Sequence, residues 1–411
     1  MISKGSILFV ATSSNATSGG GRTRIVDVAI ETKKRGFSPA ILCFVYATQW
    51  LSGPLFLMRG RESLSDDAGC PVVYLPLLPF GRLGLVNWLN GWLAGLLLAI
   101  LAWLFQIRLL FGHGTKAGYF GLRARQIRPG IKVVSDIQGS IVDEYLYEHD
   151  VHGSDAASQR METEESMTLA TSDALTFVSH SMRHYYENRF RRSFSSAVII
   201  PCGTLAGFVP DALRRQTQRR THGLENKFVV CYVGAAETYQ LPEVMCRLFK
   251  NIYSSMPNAF FLIYSYQVAV FEKCLRAQGI SSDYYKITSA SHDQIFDQLQ
   301  MGDIGLLLRD KSPVNLVASP LKFAEYCLCG LPVITTPHVG DFSAMVIEHH
   351  IGYWVDIALP ISQPGLLEFL QDVGSNRAEY ALRCTEFARN HLSWDVHGPV
   401  LVDLFHSLLD K

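Results

Sequence analysis

Ala318-Ser319-Pro320-Leu321-Lys322-Phe323-Ala324-Glu325-Tyr326-Cys327-Leu328-Cys329-Gly330-Leu331-Pro332-Val333-Ile334 reads as a short helix feeding a buried strand. Gly330 closes the helix, and Pro332 opens a β-branched run from Val333 to Thr336. Lys322 and Glu325 stand one helical turn apart near the helix start. A helix N-terminus attracts anions, a lysine adds a point charge for phosphate, and a carboxylate can grip two vicinal hydroxyls. Phosphate beside a diol is the chemistry of a nucleotide ribose.

Outward from this stretch the chain alternates strand-like and helix-like segments, the signature of doubly wound α/β domains. Ser6 to Ala11 reads as a buried parallel strand, followed by Gly19-Gly20-Gly21 and a helix-like run from Arg24 to Arg35. Further strands are expected at Ser38 to Phe44, Ile107 to Phe111, Lys132 to Asp136, Ala174 to Ser179 and Ala197 to Ile200. The polar, basic stretch Asp211 to Lys227 marks a linker. Phe228 to Gly234 restarts the alternation, continued by Ala259 to Tyr264, Tyr285 to Ile287 and Gly305 to Leu308. The last segment, Arg377 to Lys411, reads as helical.

With 411 residues, 48% of them hydrophobic, the chain predicts two domains, each with its own core. Its 37 basic and 37 acidic residues cancel, which argues against a nucleic-acid partner. Nine cysteines stand without zinc-site spacing and are expected as buried, reduced thiols in a cytoplasmic protein. The opening Met1-Ile2-Ser3-Lys4-Gly5 runs directly into a strand, so no signal peptide is expected.

Residues 83–107 form an uncharged stretch bracketed by Arg82 and Arg108 and containing Trp88, Trp92 and Trp103. Its length would suffice to span a bilayer. Strand-like segments on both sides argue against spanning, because one sheet cannot be assembled from opposite faces of a membrane. Tryptophans and flanking arginines suit a helix lying at the membrane interface, on the inner face of the cell membrane. A buried core helix is the alternative.

The pattern SPxKFxEYxxCGLPVI at 319–334 resembles the donor-sugar-nucleotide motif of GT-B glycosyltransferases, specifically the large retaining family 4. Gly20 and Gly21 match the family's N-terminal glycine loop, and Asp136-Ile137-Gln138-Gly139 its D-x-H-G loop, with glutamine where histidine is usual. An amide there can hydrogen-bond a sugar hydroxyl but cannot exchange a proton near neutral pH. Val178-Ser179-x-Ser181-Met182, Ile200-Pro201-Cys202-Gly203 and Asp303-Ile304-Gly305-Leu306 also match. Two further departures stand out. The E-x7-E pair lacks its first acid, since Val317 occupies that position, and the residues after Gly234 carry no Arg/Lys pair for the pyrophosphate.

The resemblance implies an α/β GT-B architecture of two Rossmann-like domains facing a cleft, with a C-terminal helix crossing back. The expected divisions are 1–205 for the acceptor-binding domain, 206–380 for the nucleotide-sugar domain and 381–411 for the returning segment. It implies transfer of a sugar from a nucleotide sugar to a lipid-linked or polysaccharide acceptor, with retention and without a metal or other cofactor. Donor contacts are expected from Glu325, Lys322, Ser319, Asn315, Arg309 and Gly234, with Arg309 and Lys322 supplying the missing positive charge. Gln138 and His113, the latter in Gly112-His113-Gly114 at a strand end, are the candidate catalytic contacts, and Gly20 and Gly21 line the acceptor or phosphate loop. Asp143 and Glu144 read as helix-start caps, and Gly340-Asp341 as a further site-facing loop. A sugar-nucleotide epimerase or hydrolase of the same fold, and a non-catalytic nucleotide-binding membrane partner, are the alternatives.

Overall fold

The computed structural model describes residues 5–13, 19–79, 84–149, 153–203, 208–290, 292–357 and 364–410. Two compact units divide the chain: Met1–Cys202 with Trp394–Lys411, and Gly203–Ser393. The segment that rejoins the first unit begins at Trp394, not at 381, because the helix Arg377–His391 packs Phe387 and Cys384 into the second unit's core.

The first unit is built on seven parallel strands: β1 Ile7–Thr12, β2 Pro39–Tyr46, β3 Val72–Leu77, β4 Leu109–His113, β5 Lys132–Ile137, β6 Ala174–Phe177 and β7 Ala197–Ile199. Their order is β3-β2-β1-β4-β5-β6-β7, so the strand order reverses between β1 and β4. In such sheets ligands bind beyond the carboxyl ends of the strands at that reversal. β1, up to Thr12 at its end, and β2 are apolar because helices cover both faces. The helix Thr115–Ile127 lies unusually close to β4: a Cβ on Gly112 would collide with the Gly118 amide nitrogen.

The uncharged stretch forms the helix Gly84–Leu104, with Gln106 in the left-handed region just beyond it; Leu83 lies outside the described residues. Its buried face is small, with Gly91, Ala94, Gly95, Leu98 and Ala102 against the helix Thr115–Ile127. A Cβ at Gly95 would sit 2.6 Å from Cβ of Arg123, so glycine is what allows the two backbones to meet. Leu98 is fully buried there and contributes about 2 kcal/mol. The opposite face leaves Leu85, Trp88, Leu96, Ile100 and Trp103 exposed. The helix is long and apolar enough to cross a membrane by length and composition, yet one face belongs to the domain's core.

The C-terminal helix Trp394–Leu409 closes the first unit. Trp394 is buried and donates its indole N–H to Asp27 at 2.9 Å, while Phe405 meets Phe111 edge-on at 5.7 Å.

The second unit holds six parallel strands: β8 Phe228–Val233, β9 Ala259–Tyr264, β10 Tyr285–Thr288, β11 Ile304–Leu307, β12 Val333–Thr335 and β13 Gly352–Trp354. The order β10-β9-β8-β11-β12-β13 places the reversal between β8 and β11. The basic linker stretch folds as the helix Ala212–Thr221. Arg215 and Arg219 from it, with Arg377, surround Asp303, whose carboxylate also accepts the Val229 amide at 2.7 Å. That ion cluster fixes the linker helix at the amino ends of the central strands β8 and β11.

Candidate functional site

At the reversal of the second sheet, β8 ends at Val233, just before Gly234, and β11 leads through Leu308 into Arg309. Gly234 has φ +134°, and a Cβ there would stand 2.7 Å from Nζ of Lys322. A bare backbone at this point lets the ammonium approach the end of the strand. Lys322 comes from the first turn of the helix Leu321–Leu328 and is buried. Its ammonium donates to the Gln240 side-chain oxygen at 2.8 Å and to the Tyr232 hydroxyl oxygen at 3.2 Å, and lies 4.4 Å from the Tyr232 ring centre.

Arg309, also buried, donates to the same Gln240 oxygen at 2.6 Å and stacks over Tyr239 at 5.2 Å. Two cations thus converge on one neutral amide oxygen, which the Tyr232 hydroxyl also approaches at 3.2 Å. Among the described residues neither makes an ion pair with a carboxylate, and the Arg309 Nε has no hydrogen-bond partner. Burial, and then the charge of Arg309, hold the Lys322 ammonium well below its usual range, with Glu325 opposing. Burial likewise lowers Arg309. Desolvated positive charge of this kind is relieved by an anion.

Glu325 is buried on the same helix, and burial pushes its carboxyl up to about 7 despite the pull of Lys322. Ser319 and Asn315 are buried on the preceding loop. The Asn315 amide is directed at Asp310, donating to Oδ1 at 2.5 Å, and its main-chain carbonyl accepts from Gly340 at 3.1 Å. Asn315 therefore shapes the loop that carries Ser319, and Gly340 with φ +45° closes it.

In the first unit the carboxyl ends of β4, β5 and β6 converge on Asp136, which is fully buried. Arg24, from the helix Gly19–Lys34, clamps it with two bonds of 2.8 and 2.9 Å. Thr176 donates to the same carboxylate at 2.5 Å, and the Gln138 amide at 2.7 Å. Burial alone would raise this carboxyl, but the charge and hydrogen bonds of Arg24 hold it well below the usual range. The second Gln138 amide hydrogen reaches Nδ1 of His113 at 2.7 Å. His113 Nε2–H donates to the carbonyl of Gly21 at 2.8 Å, which fixes the tautomer. His113 is fully enclosed with both nitrogens engaged, so it supports the Gly20-Gly21 helix start and the Gln138 loop without itself facing a ligand. Gln138 is half-buried, and its amide oxygen has no hydrogen bond among the described residues. Gly20 is exposed in the first helical turn; residues 14–18 of the preceding loop lie outside the described residues.

Residues 19–203 match the family model described as a glycosyl transferase 4-like domain. That match covers residues 19–203 of a 411-residue chain, and all of it but Gly203 falls on the first unit. Anabaena HepE, solved in complex with UDP, superposes on this chain with a TM-score of 0.72 at 14% identity, covering 98% of this chain and 100% of that one. Sucrose-phosphate synthase from Thermosynechococcus elongatus gives 0.72 at 15% identity, covering 98% and 99%. WaaG, a glycosyltransferase involved in lipopolysaccharide biosynthesis, gives 0.62 at 12% identity, covering 96% and 99%. These likenesses show the fold. No curated protein matches the sequence.

Gln240, Tyr232 and Tyr239 were not among the residues expected in the donor half, and Arg24 and Thr176 were not expected in the other. Gln240 sits in a short 3₁₀ turn before the helix Pro242–Ser255, where only its distance from β8 hinted at proximity to Gly234.

Proposed function

We propose that this chain is a glycosyltransferase that moves a sugar from a nucleoside-diphosphate donor to a hydroxyl of a lipid-linked or polysaccharide acceptor, with retention and without a metal ion. The observation that carries the reading is the pairing of buried Arg309 and Lys322 on one Gln240 oxygen at the strand-order reversal. A departing diphosphate gains negative charge in the transition state, and preplaced cations in a dry site stabilise that charge more than they stabilise the bound donor. With two protein cations in place, a metal clamp has no separate role. Glu325, close to half-ionised at neutral pH, is assigned to the ribose hydroxyls, and Gln138 offers its free amide oxygen to an acceptor or sugar hydroxyl. HepE has been solved with UDP, with UDP and glucose, and with UDP-glucose, which favours a uridine donor here.

The acceptor half of the reading rests on the helix Gly84–Leu104. Trp88 and Trp103 are 51% and 68% exposed on an uncharged face, the composition of a helix that settles at headgroup depth. The helix Thr115–Ile127 packed beneath it carries Lys116, Arg123 and Arg125 and no acid. We place the enzyme peripherally on the inner face of the cell membrane.

Thermal stabilisation by UDP, GDP, ADP and dTDP tests the donor site, and nucleotide release from a panel of nucleotide sugars, with and without membrane lipid extract, tests the acceptor. The expected result is selective protection by one diphosphate and release that depends on lipid. Protection by none of them overturns the donor site; interconversion of free sugar nucleotides overturns transfer.

A further inference from the structure

The loop Gln138-Gly139-Ser140 is held from below by an acidic cluster that the donor and acceptor chemistry does not use. The helix Ile141–Glu148 brings Asp143, Glu144 and Glu148; the helix Ala156–Thr171 brings Glu162 and Glu165; the helix His180–Phe190 brings Tyr185, Tyr186 and Arg189. Arg189 is the cation among them, bound to Glu162 at 2.9 Å and to Asp143 at 3.3 Å, and 3.8 Å from Glu165 Oε2. Tyr185 and Ser140 spend their hydroxyl hydrogens on Asp143.

Glu165 is fully buried, and Tyr186 Oη lies 2.5 Å from its Oε1. The same Tyr186 oxygen lies 3.3 Å from the carbonyl of Gly139 and is the sole hydrogen-bond partner of that carbonyl among the described residues. A phenol has one hydrogen, and a carbonyl can only accept. If Glu165 is a carboxylate, it takes that hydrogen, and two bare acceptors, Tyr186 Oη and Gly139 O, face each other. If Glu165 is a carboxylic acid, it donates to Tyr186 Oη and frees the phenol hydrogen for Gly139. Only the acid form satisfies both oxygens.

We propose that Glu165 is a positioning residue that pins the 138–140 loop as a neutral carboxylic acid, the first donor in a two-bond chain through Tyr186 to the Gly139 carbonyl. That this loop serves the acceptor side rests on the function proposed above; the chain itself does not. Burial pushes the Glu165 carboxyl up to about 7, opposed by Tyr186, Arg189 and the Ile141 amide, with Asp143 adding to the rise. Glu144, half-buried with a carboxylate oxygen in the space that a Gly139 Cβ would need, is pushed up to about 7 by burial and by Glu148, Glu165 and Asp143. One arginine cannot neutralise this many acids, so a proton is retained among them near neutrality. The raised folded-state value makes the pin complete at acid pH and progressively lost as pH rises through about 7.

Amide hydrogen exchange over residues 138–142, corrected for the intrinsic pH dependence, tests this on the full chain without donor or acceptor. A failed transfer assay and a failed pin are therefore separate results. Wild-type protection should fall about tenfold between pH 6 and 8. Glu165→Gln, whose amide donates to Tyr186 at every pH, should keep it throughout. Tyr186→Phe should show low protection at both values, and Glu144→Gln should leave the wild-type dependence intact. A Glu165→Gln profile that still falls with pH, or loss of the dependence in Glu144→Gln, overturns the proposal. If Glu165→Gln does not fold, Tyr186→Phe decides alone: a wild-type profile in that variant overturns it.

Discussion

Arg24 and Asp136, 112 residues apart in sequence, meet as a fully buried bidentate pair at 2.8 and 2.9 Å. The pair ties the first helix to the third of the strands that carry ligand-side loops, and Arg24 also donates to the Pro201 carbonyl at 2.9 Å where the unit's last strand ends. Both charges are desolvated, so each is tolerable only because of the other. Arg24→Ala is expected to cost about 3–5 kcal/mol in denaturant unfolding. Arg24→Met combined with Asp136→Leu should recover most of that loss. Because the native carboxyl is held low, the pair's stabilisation is present above the ordinary aspartate value of 3.8 and is lost as pH falls below it. A double variant no more stable than Arg24→Ala would show that the fold depends on the charges themselves.

Lys322→Met offers a sharper test of the donor site, because stability and binding should move in opposite directions. Removing a buried ammonium whose partners are neutral should stabilise the empty protein by about 1–2 kcal/mol. The same change should abolish most of the thermal shift given by a nucleoside diphosphate. The lowered value of Lys322 means that the unfolded chain binds the proton more tightly. Wild-type stability should therefore rise with pH as it approaches 10.5 from below, a slope that Lys322→Met lacks. A variant that is destabilised and still fully protected by nucleotide would remove Lys322 from the phosphate site.

How far the sequence announces this architecture depends on the kind of element. Interior strands such as β1 and β8 are nearly continuous apolar runs and are recognisable by composition. The two strands not expected, β3 and β13, both lie at sheet edges. β3 contains Pro76, which an edge tolerates and an interior strand does not, and β13 has three residues. Helix-borne partners were equally hidden. Arg24 appears in sequence as an ordinary surface residue of an amphipathic helix, and nothing local says that it turns inward to Asp136. Lys322 and Arg309 were legible as cations near a strand end, but Gln240, the oxygen they share, is a tertiary fact. His113 and Gln138 were legible as site loops. What the fold adds is that His113 is enclosed and works through Gly21 and Gln138.

The exposed face of the helix Gly84–Leu104 yields a prediction independent of chemistry. Trp88→Ser with Trp103→Ser should leave the melting temperature within about 2 °C of wild type, since neither side chain supports the core. Sedimentation with phospholipid vesicles should weaken about tenfold or more, one factor of ten for each 1.4 kcal/mol of interfacial binding energy that the two indoles supply. Gly95→Leu should do the reverse, disrupting the fold through collision with Arg123. Undiminished vesicle binding by the double tryptophan variant would exclude this face as the membrane-facing surface.

Glu325→Gln separates the ribose contact from the cost of burying an acid. The wild-type carboxyl titrates at about 7, against 4.5 for an ordinary glutamate, so the native state holds its proton more tightly than the unfolded chain. The stability this confers is full below 4.5 and lost as pH rises through about 7, with about 3 kcal/mol as the upper bound at 1.36 kcal/mol per pH unit. An amide keeps the shape without the titration. Glu325→Gln should flatten the melting temperature between pH 5 and 8 and raise it at pH 8. It should also weaken nucleoside-diphosphate protection at pH 8 about tenfold or more, because a neutral amide grips a diol less firmly than a charged acceptor does. Protection weakened equally for a 2′,3′-dideoxynucleoside diphosphate would place the effect on Lys322 and the phosphates instead. Protection of the dideoxy compound left unchanged by Glu325→Gln would assign the carboxylate to the ribose.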